Sequence, residues 1–344
     1  MNRPPSPLNM LLSRHTRRRE FIATLGTLPA WPLAVGAQQR GQLRGLSVIM
    51  AVGETPEYAA ALAALEQALD SLGWKRGENL RIDDRWSAGS EEGARSAARE
   101  IVALKPDVIL GQSAAVIQAL QSTTRTIPIV FLHVADPAVY GFVSNLARPE
   151  ANVTGITNII PSIGAKWLQL LKEIAPDVMR AAMLVNPDTQ PDRGAIFLSP
   201  FQDAARTLGV KSVNGEVHDL ESIETVMIGL AKASDGGVIV IPDAFFASHS
   251  TQIVALADRF RLPVVYPYRY YVAQGGLLSY GVNNVDLFRQ AAPYIDRILR
   301  GAKPSDLPVQ QPTRFQLVIN AKTAKALNLA VPPSLQASAD EVIE

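Results

Sequence analysis

Residues 107–115 read Asp107-Val108-Ile109-Leu110-Gly111-Gln112-Ser113-Ala114-Ala115, and residues 238–243 read Val238-Ile239-Val240-Ile241-Pro242-Asp243. Each is a short apolar run, rich in β-branched residues, that stops at small or polar residues before a helical pattern. That is the signature of a strand buried on both faces of a parallel sheet. The flanks match too. Ahead of the first run lie a strand at 44–52 (Leu46, Val48, Ile49) and a helix with Leu62, Leu65, Leu69 and Leu72 on one face. A strand at 80–82 and a helix over 94–104 complete that approach. Ahead of the second lie Ala182-Met183-Leu184-Val185, a helix over 196–208, a further strand and a helix over 221–233. Each unit closes on an X-Pro strand start, Ile127-Pro128-Ile129-Val130 and Leu262-Pro263-Val264-Val265. Both halves are β-α-β-α-β-α-β. The expected fold is α/β: two similar lobes, each a parallel sheet flanked by helices, with a crevice between them.

Prolines and glycines mark the joints. Arg148-Pro149 leads into Val153-Thr154-Gly155-Ile156, the first passage between lobes. Gly275-Gly276-Leu277-Leu278-Ser279-Tyr280-Gly281 reads as a return strand, and a helix over 284–300 then packs on lobe one. Crossings near 156, 281 and 307 make a three-strand hinge. This gives 44–156 with 281–306 as lobe one, and 157–280 with 307–344 as lobe two.

The first 37 residues have the order of an export signal: Arg17-Arg18-Arg19, an apolar stretch from Phe21, then Val35-Gly36-Ala37 before Gln38. Arg18-Arg19-Glu20-Phe21-Ile22 fits a twin-arginine signal, with cleavage expected after Ala37 and a periplasmic destination. The stretch is too short and too proline-broken for a spanning helix. The chain carries a formal charge of +1; setting aside the five Arg and one Glu of residues 1–37 leaves −3. No basic patch points to nucleic acid. There is no cysteine, which excludes disulfides, thiol chemistry, Cys-based metal sites and a lipidated cysteine. The mature chain is therefore expected to be free of the membrane, and monomeric. The histidines lack metal-ligand spacing, no phosphate-cradling glycine loop is present, and no cofactor is expected.

In parallel sheets the ligand sits outside the carboxyl ends of the strands. Aligning Val108 with Val238 matches Ser113 with Asp243, so the two are expected to face each other across the cleft. Ser113, Ala114 and Ala115 open a helix whose free N–H groups suit a carboxylate. Asp243, and Asp136 before Pro137, could hold an ammonium. Each of the three polar residues also makes a good cap or turn. Glu54 and Thr55 after the first strand, and Asn186 with Asp188 after its repeat, reach the crevice by the same rule. Phe245, Phe246, Tyr268 and Tyr280 could form an aromatic wall, although aromatics near strand ends also serve as core; Trp167 is assigned to core.

The ordered motifs Leu72-Gly73-Trp74, Arg85-Trp86, Ile127-Pro128-Ile129-Val130-Phe131, Asp136-Pro137 and Leu146-Ala147-Arg148-Pro149 are joined by Asn152-Val153-Thr154-Gly155, Phe245-Phe246-Ala247-Ser248-His249, Leu317-Val318-Ile319-Asn320 and Ala339-Asp340-Glu341-Val342-Ile343-Glu344. With the twin-arginine leader and 275–281, they make nearly the whole chain resemble the substrate-binding proteins of ABC transporters, whose members include tryptophan- and tyrosine-type binders. The resemblance implies the type I periplasmic binding protein fold. It also implies capture of a small solute, such as an amino acid or related carboxylate, and delivery to a permease with its ATPase. Departures are Glu150-Ala151, where a Gly pair is usual, and Gln112-Ser113, where Gly-Thr or Gly-Ser is common. Two other readings exist. One is an exported protein serving a membrane sensor. The other is a serine hydrolase, since Gly111-Gln112-Ser113 imitates a nucleophile elbow and Ser113, Asp243 and His249 follow triad order. Ala115 breaks the elbow, and the repeat places Ser113 and Asp243 on different lobes, so no enzyme activity is expected.

Overall fold

The structure, a computed structural model, describes residues 43–149, 152–160, 162–190 and 192–344. The export signal, its cleavage site after Ala37 and the Glu150-Ala151 pair lie outside the described residues.

The first unit runs β1 (Arg44–Met50), α1 (Pro56–Ser71), β2 (Leu80–Trp86), α2 (Glu91–Ala103), β3 (Val108–Gln112), α3 (Ala114–Thr123), β4 (Ile129–Val134) and β5 (Val153–Thr157). The second runs α4 (Ile163–Ile174), β6 (Arg180–Leu184), α5 (Ala195–Thr207), β7 (Lys211–Val213), α6 (Leu220–Ala231) and β8 (Gly236–Val240). It continues through α7 (Ala244–Ser248), α8 (Ser250–Arg259), β9 (Val264–Tyr266), α9 (Arg269–Ala273) and β10 (Leu278–Gly281). Last come α10 (Asn284–Leu299), β11 (Gln316–Asn320), α11 (Ala321–Ala326), α12 (Pro333–Ser338) and β12 (Glu341–Ile343).

The repeat read from the sequence is a repeat of topology. One sheet has the order β2-β1-β3-β4-β5, and within the other the order β7-β6-β8-β9-β10 recurs. Strand direction reverses its spatial progress between β1 and β3, and again between β6 and β8. At such switch points adjacent loops part and leave room for a ligand. The second sheet extends by β11, antiparallel to β10, and by β12, parallel to β11. It is therefore mixed rather than wholly parallel, because β11 re-enters from the hinge in the opposite direction.

Side-chain alternation assigns the faces of the first sheet. Leu46, Val48, Val108, Leu110 and Val130 pack with α1 and α10. Ile49, Ile109, Ile129 and Phe131 pack with α2 and α3. Helix α10 is thus a lobe-one helix: it lies along α1, and Trp74 Nε1 donates to Asp296 Oδ1 at 2.8 Å. The hinge is pinned by buried groups. Thr154 Oγ1 donates to Leu307 O at 2.6 Å, and Gln310 N to Gly155 O at 3.0 Å. Residues 307–310 therefore still pair beside β5, and the third passage begins only beyond them. Trp167, fully buried on α4, donates from Nε1 to Tyr280 O at 2.7 Å.

Candidate functional site

The space between the lobes amounts to about 740 Å³ when its solvent-open part is counted, of which about 50 Å³ is free to the centres of water-sized spheres. Its walls are the carboxyl ends of the strands. Ala51 and Val52 follow β1, Ser87 follows β2, and Gln112 and Ser113 end β3. From the second lobe come Asp188, Thr189 and Gln190 after β6, Pro242 and Asp243 after β8, and Tyr268 after β9.

The β3–α3 junction supplies hydrogen-bond donors. Ser113 sits at φ 88°, a conformation few non-glycine residues adopt. Its own N–H is spent on Leu132 O at 3.0 Å, and its Oγ accepts from Val116 N at 3.4 Å as the N-cap of α3. The N–H groups of Ala114 and Ala115, in the first turn, have no intrahelical acceptor. Both residues line the cleft, and their methyl side chains leave the backbone approachable. Gln112 steadies the junction: its Oε1 accepts from Ala51 N at 2.9 Å, which ties the end of β3 to that of β1.

Asp243 is the opposite pole. Its Oδ1 caps α7 by accepting from Phe245 N at 2.7 Å and Phe246 N at 3.3 Å. Its Oδ2 accepts from Thr189 Oγ1 at 2.6 Å and Gln190 Nε2 at 2.8 Å. Burial raises its pKa, and those four hydrogen bonds only partly oppose the shift. No cation among the described residues compensates it. Among the described residues the cleft lining holds the carboxylates Glu91, Asp188 and Asp243 and no lysine or arginine; Glu91 pairs with Arg95 and Asp188 with His218 from outside it. His133 is also on the wall, and burial lowers its pKa to about 4, with the Asn284 hydrogen bond opposing.

The two walls touch. Tyr140 OH donates to Gln190 Oε1 at 3.4 Å. Just past the hinge strand β5, and within the second lobe as bounded above, Asn158 Nδ2 donates to Tyr268 OH at 2.9 Å. Gly89 lies so close to α7 that a Cβ there would meet Ala244 O at 3.2 Å. The lobes are closed on one another.

The structure brings Ser113, Ala114, Ala115 and Asp243 together, with Asp188 and Tyr268 beside them. It places the other candidates elsewhere. Asp136 makes an Asx turn: its Oδ1 accepts from Ala138 N at 2.9 Å and Val139 N at 3.1 Å. Glu54 is exposed, and Thr55 Oγ1 caps α1 by accepting from Tyr58 N at 3.4 Å. Asn186 is buried and shapes its loop, its Oδ1 accepting from Asp188 N at 2.9 Å. Phe245 turns onto His249, with ring centroids 4.4 Å apart, and Phe246 is fully buried core. Tyr280 stacks on Phe315 at 5.5 Å. A triad does not form: the bonds of Asp243 go to the four groups above, and His249 Nδ1 lies 2.8 Å from Phe245 O.

Sequence reasoning missed Ser87, Asn158, Tyr58, Gln190 and His133, all on the wall. The strand-end rule reaches Ser87 and Asn158, each one residue past its strand. Tyr58 lies in the first turn of α1 and points inward, so only its burial reveals it.

Against this geometry stand the comparisons. A family model described as ABC transporter substrate binding protein matches residues 47–343. The chain is 26% identical over 277 residues to a tyrosine-binding protein of Clostridioides difficile (strain R20291), covering 80% of this chain and 79% of that one. It is similar to the crystal structure of an ABC domain in complex with L-Trp from Streptococcus pneumoniae, with TM-score 0.79, 25% identity, and coverage of 87% of this chain and 99% of that one. The ligand-free, open structure of a substrate-binding protein with adhesive properties from Clostridium difficile matches at TM-score 0.64, with the same 25% identity and the same 87% and 99% coverage. At equal identity and coverage, the better overlay with the liganded structure agrees with the closed contacts at Gly89 and Tyr140.

Proposed function

We infer, because the chain belongs to the ABC transporter substrate-binding protein family, that it captures a free amino acid with an aromatic side chain and delivers it to an ABC permease. Its relatives are substrate-binding proteins rather than enzymes. Capture takes place in the cleft, outside the cytoplasm, once the signal in residues 1–37 has been removed.

The observation that carries this reading is the charge layout of the wall. A carboxylate finds the amides of Ala114 and Ala115 at the dipole end of α3, each such contact worth roughly 0.3–2 kcal/mol. An ammonium finds the Asp243 carboxylate, with no lysine or arginine among the described residues of the wall. A zwitterion satisfies both. Tyr58, Tyr140, Phe197 and Tyr268 on the same wall offer ring faces to an aromatic side chain. Because the wall comes from both lobes, only the closed form completes it. Binding energy is then spent on shifting the lobes from open to closed, and the permease reads the result.

Isothermal titration of the mature chain with L-tyrosine, L-tryptophan, L-leucine, L-glutamate and L-arginine tests the reading. An aromatic member is expected to bind at least tenfold tighter than the other three. Preference for L-arginine or L-glutamate, or for a sugar in a wider thermal-shift screen, would refute it.

A further inference from the structure

We propose that His133 reads a hydrogen-bond donor on the ring of the bound solute, so that the protein distinguishes aromatic amino acids bearing a phenol O–H or an indole N–H from those lacking one. This rests on the amino-acid reading above and assigns a residue to its selectivity.

The argument begins with an irregularity in β4. Phe131 pairs with Gly155 and Val134 with Thr157, so β4 carries one residue more than β5 across that interval. This is a β-bulge, and His133 within it has φ 55°. Regular alternation would send His133 to the α2 and α3 face with Phe131. The bulge instead turns it to the α1 and α10 face, where its ring lies 6.2 Å from Tyr58, 6.0 Å from Phe288 and 5.6 Å from Tyr268. The imidazole is held among aromatics on the cleft wall.

Its tautomer follows from its neighbours. Asn284 Nδ2 donates to Glu57 Oε1 at 3.5 Å, which directs Asn284 Oδ1 to His133 Nε2 at 2.9 Å. An amide oxygen only accepts, so Nε2 carries the proton and Nδ1 is left as an acceptor. That Nδ1 is buried and has no partner among the described residues. Burial also keeps the ring neutral near pH 7, so Nδ1 remains an acceptor in the working range. Buried polar atoms in native proteins find partners, and each exception calls for an explanation. A donor delivered by the solute is that explanation. The ammonium is the weaker candidate, since the carboxylates compete for it at the other pole. The ring of the solute belongs beside Tyr58 and Tyr268, which share the cleft wall with His133.

The test uses matched pairs: L-tyrosine against L-phenylalanine, and L-tryptophan against L-3-benzothienylalanine, in which sulfur replaces the indole N–H. Titration calorimetry on the unmodified protein should show the donor-bearing member of at least one pair binding about 5- to 150-fold tighter, the cost of leaving a buried acceptor unpaired. His133→Phe should bring that ratio toward one by weakening the donor-bearing member, and His133→Gln, which restores an acceptor oxygen, should recover part of it. Equal affinity within both pairs on the unmodified protein overturns the proposal while leaving the amino-acid reading intact. So does an unchanged ratio in folded His133→Phe. If none of the four compounds binds, the amino-acid reading itself falls and this inference with it.

Discussion

Gly89→Leu should weaken solute binding without touching the solute. Gly89 stands at φ 76° on the rim of lobe one. In the closed form an added Cβ would lie 2.9 Å from Ser248 Oγ and 3.2 Å from Ala244 O. The hydroxyl can rotate away. The carbonyl cannot, because it belongs to the first turn of α7, held by the cap from Asp243. Leucine places three further carbons beyond that contact. Overpacking of this kind costs about 1–3 kcal/mol. Here the cost falls on the closed form alone, because opening the lobes separates residue 89 from α7. The expected result is a Kd raised about 5- to 150-fold. A leucine at positive φ also strains the backbone, by about 1–3 kcal/mol, but that strain is common to open and closed forms and lowers Tm rather than affinity. Gly73→Leu is the matched control: its φ is 93° and nothing lies within 4 Å of its would-be Cβ. Titration calorimetry gives the two affinities, and small-angle X-ray scattering gives the ligand-induced compaction. If Gly89→Leu binds as tightly as Gly73→Leu and compacts as fully, the contact between residue 89 and α7 is no part of the binding form. The closure argument would then be wrong.

Three further outcomes are expected. Asp243→Ala removes the α7 cap and strands Thr189 and Gln190, so it should cost about 1–2 kcal/mol of stability and at least about 30-fold in affinity; Asp243→Asn, which keeps a capping oxygen but no charge, should restore much of the Tm and little of the affinity. Asp136→Ala should leave affinity within about threefold, because its carboxylate bonds are spent on its own turn; a tenfold loss would place Asp136 in the site. For His133 the folded value is about 4 against an ordinary 6.5, so the unfolded chain binds the proton first as pH falls. Its contribution is complete above pH 6.5, is lost as pH falls from 6.5 to about 4 and levels off below, amounting to about 3 kcal/mol. Urea unfolding of the unmodified protein and His133→Phe across that range should show their stability difference shift against the unmodified protein by about 3 kcal/mol toward acid, and parallel curves would refute the assignment.

Much of the fold was legible because parallel strands buried on both faces cannot hide in sequence. Val108–Leu110 and Val238–Val240 have no polar side to blur their reading, and the repeat fixed their equivalence. The site was legible only where its residues lie directly beyond such strands. Ser113 and Asp243 follow from the rule, as do Ser87 and Asn158 had it been applied to β2 and β5. His133 does not follow from any periodicity. One inserted residue reverses the side a strand presents, and a bulge leaves no consistent composition behind. Tyr280 and Phe245 were misjudged for a related reason. An aromatic near a strand end can point into the cleft or into the lobe, and the choice depends on neighbours distant in sequence, such as Phe315 stacked on Tyr280.

The repeat also explains why the cleft is polar from one side to the other. Ser113 and Asp243 hold the same place in the two units, and each caps the helix that follows its third strand. A neutral hydroxyl at Ser113 takes only Val116 N, leaving the amides of Ala114 and Ala115 without charge compensation. An anion at Asp243 consumes the amides of Phe245 and Phe246 and adds negative charge of its own. Two hydroxyl caps, with one helix N-terminus on each lobe, would favour anions from both sides. A single difference in the cap residue, hydroxyl against carboxylate, inverts one pole. The two-fold pseudosymmetric crevice becomes a slot with a donor end and an acceptor end, and a zwitterion fits such a slot in one orientation only.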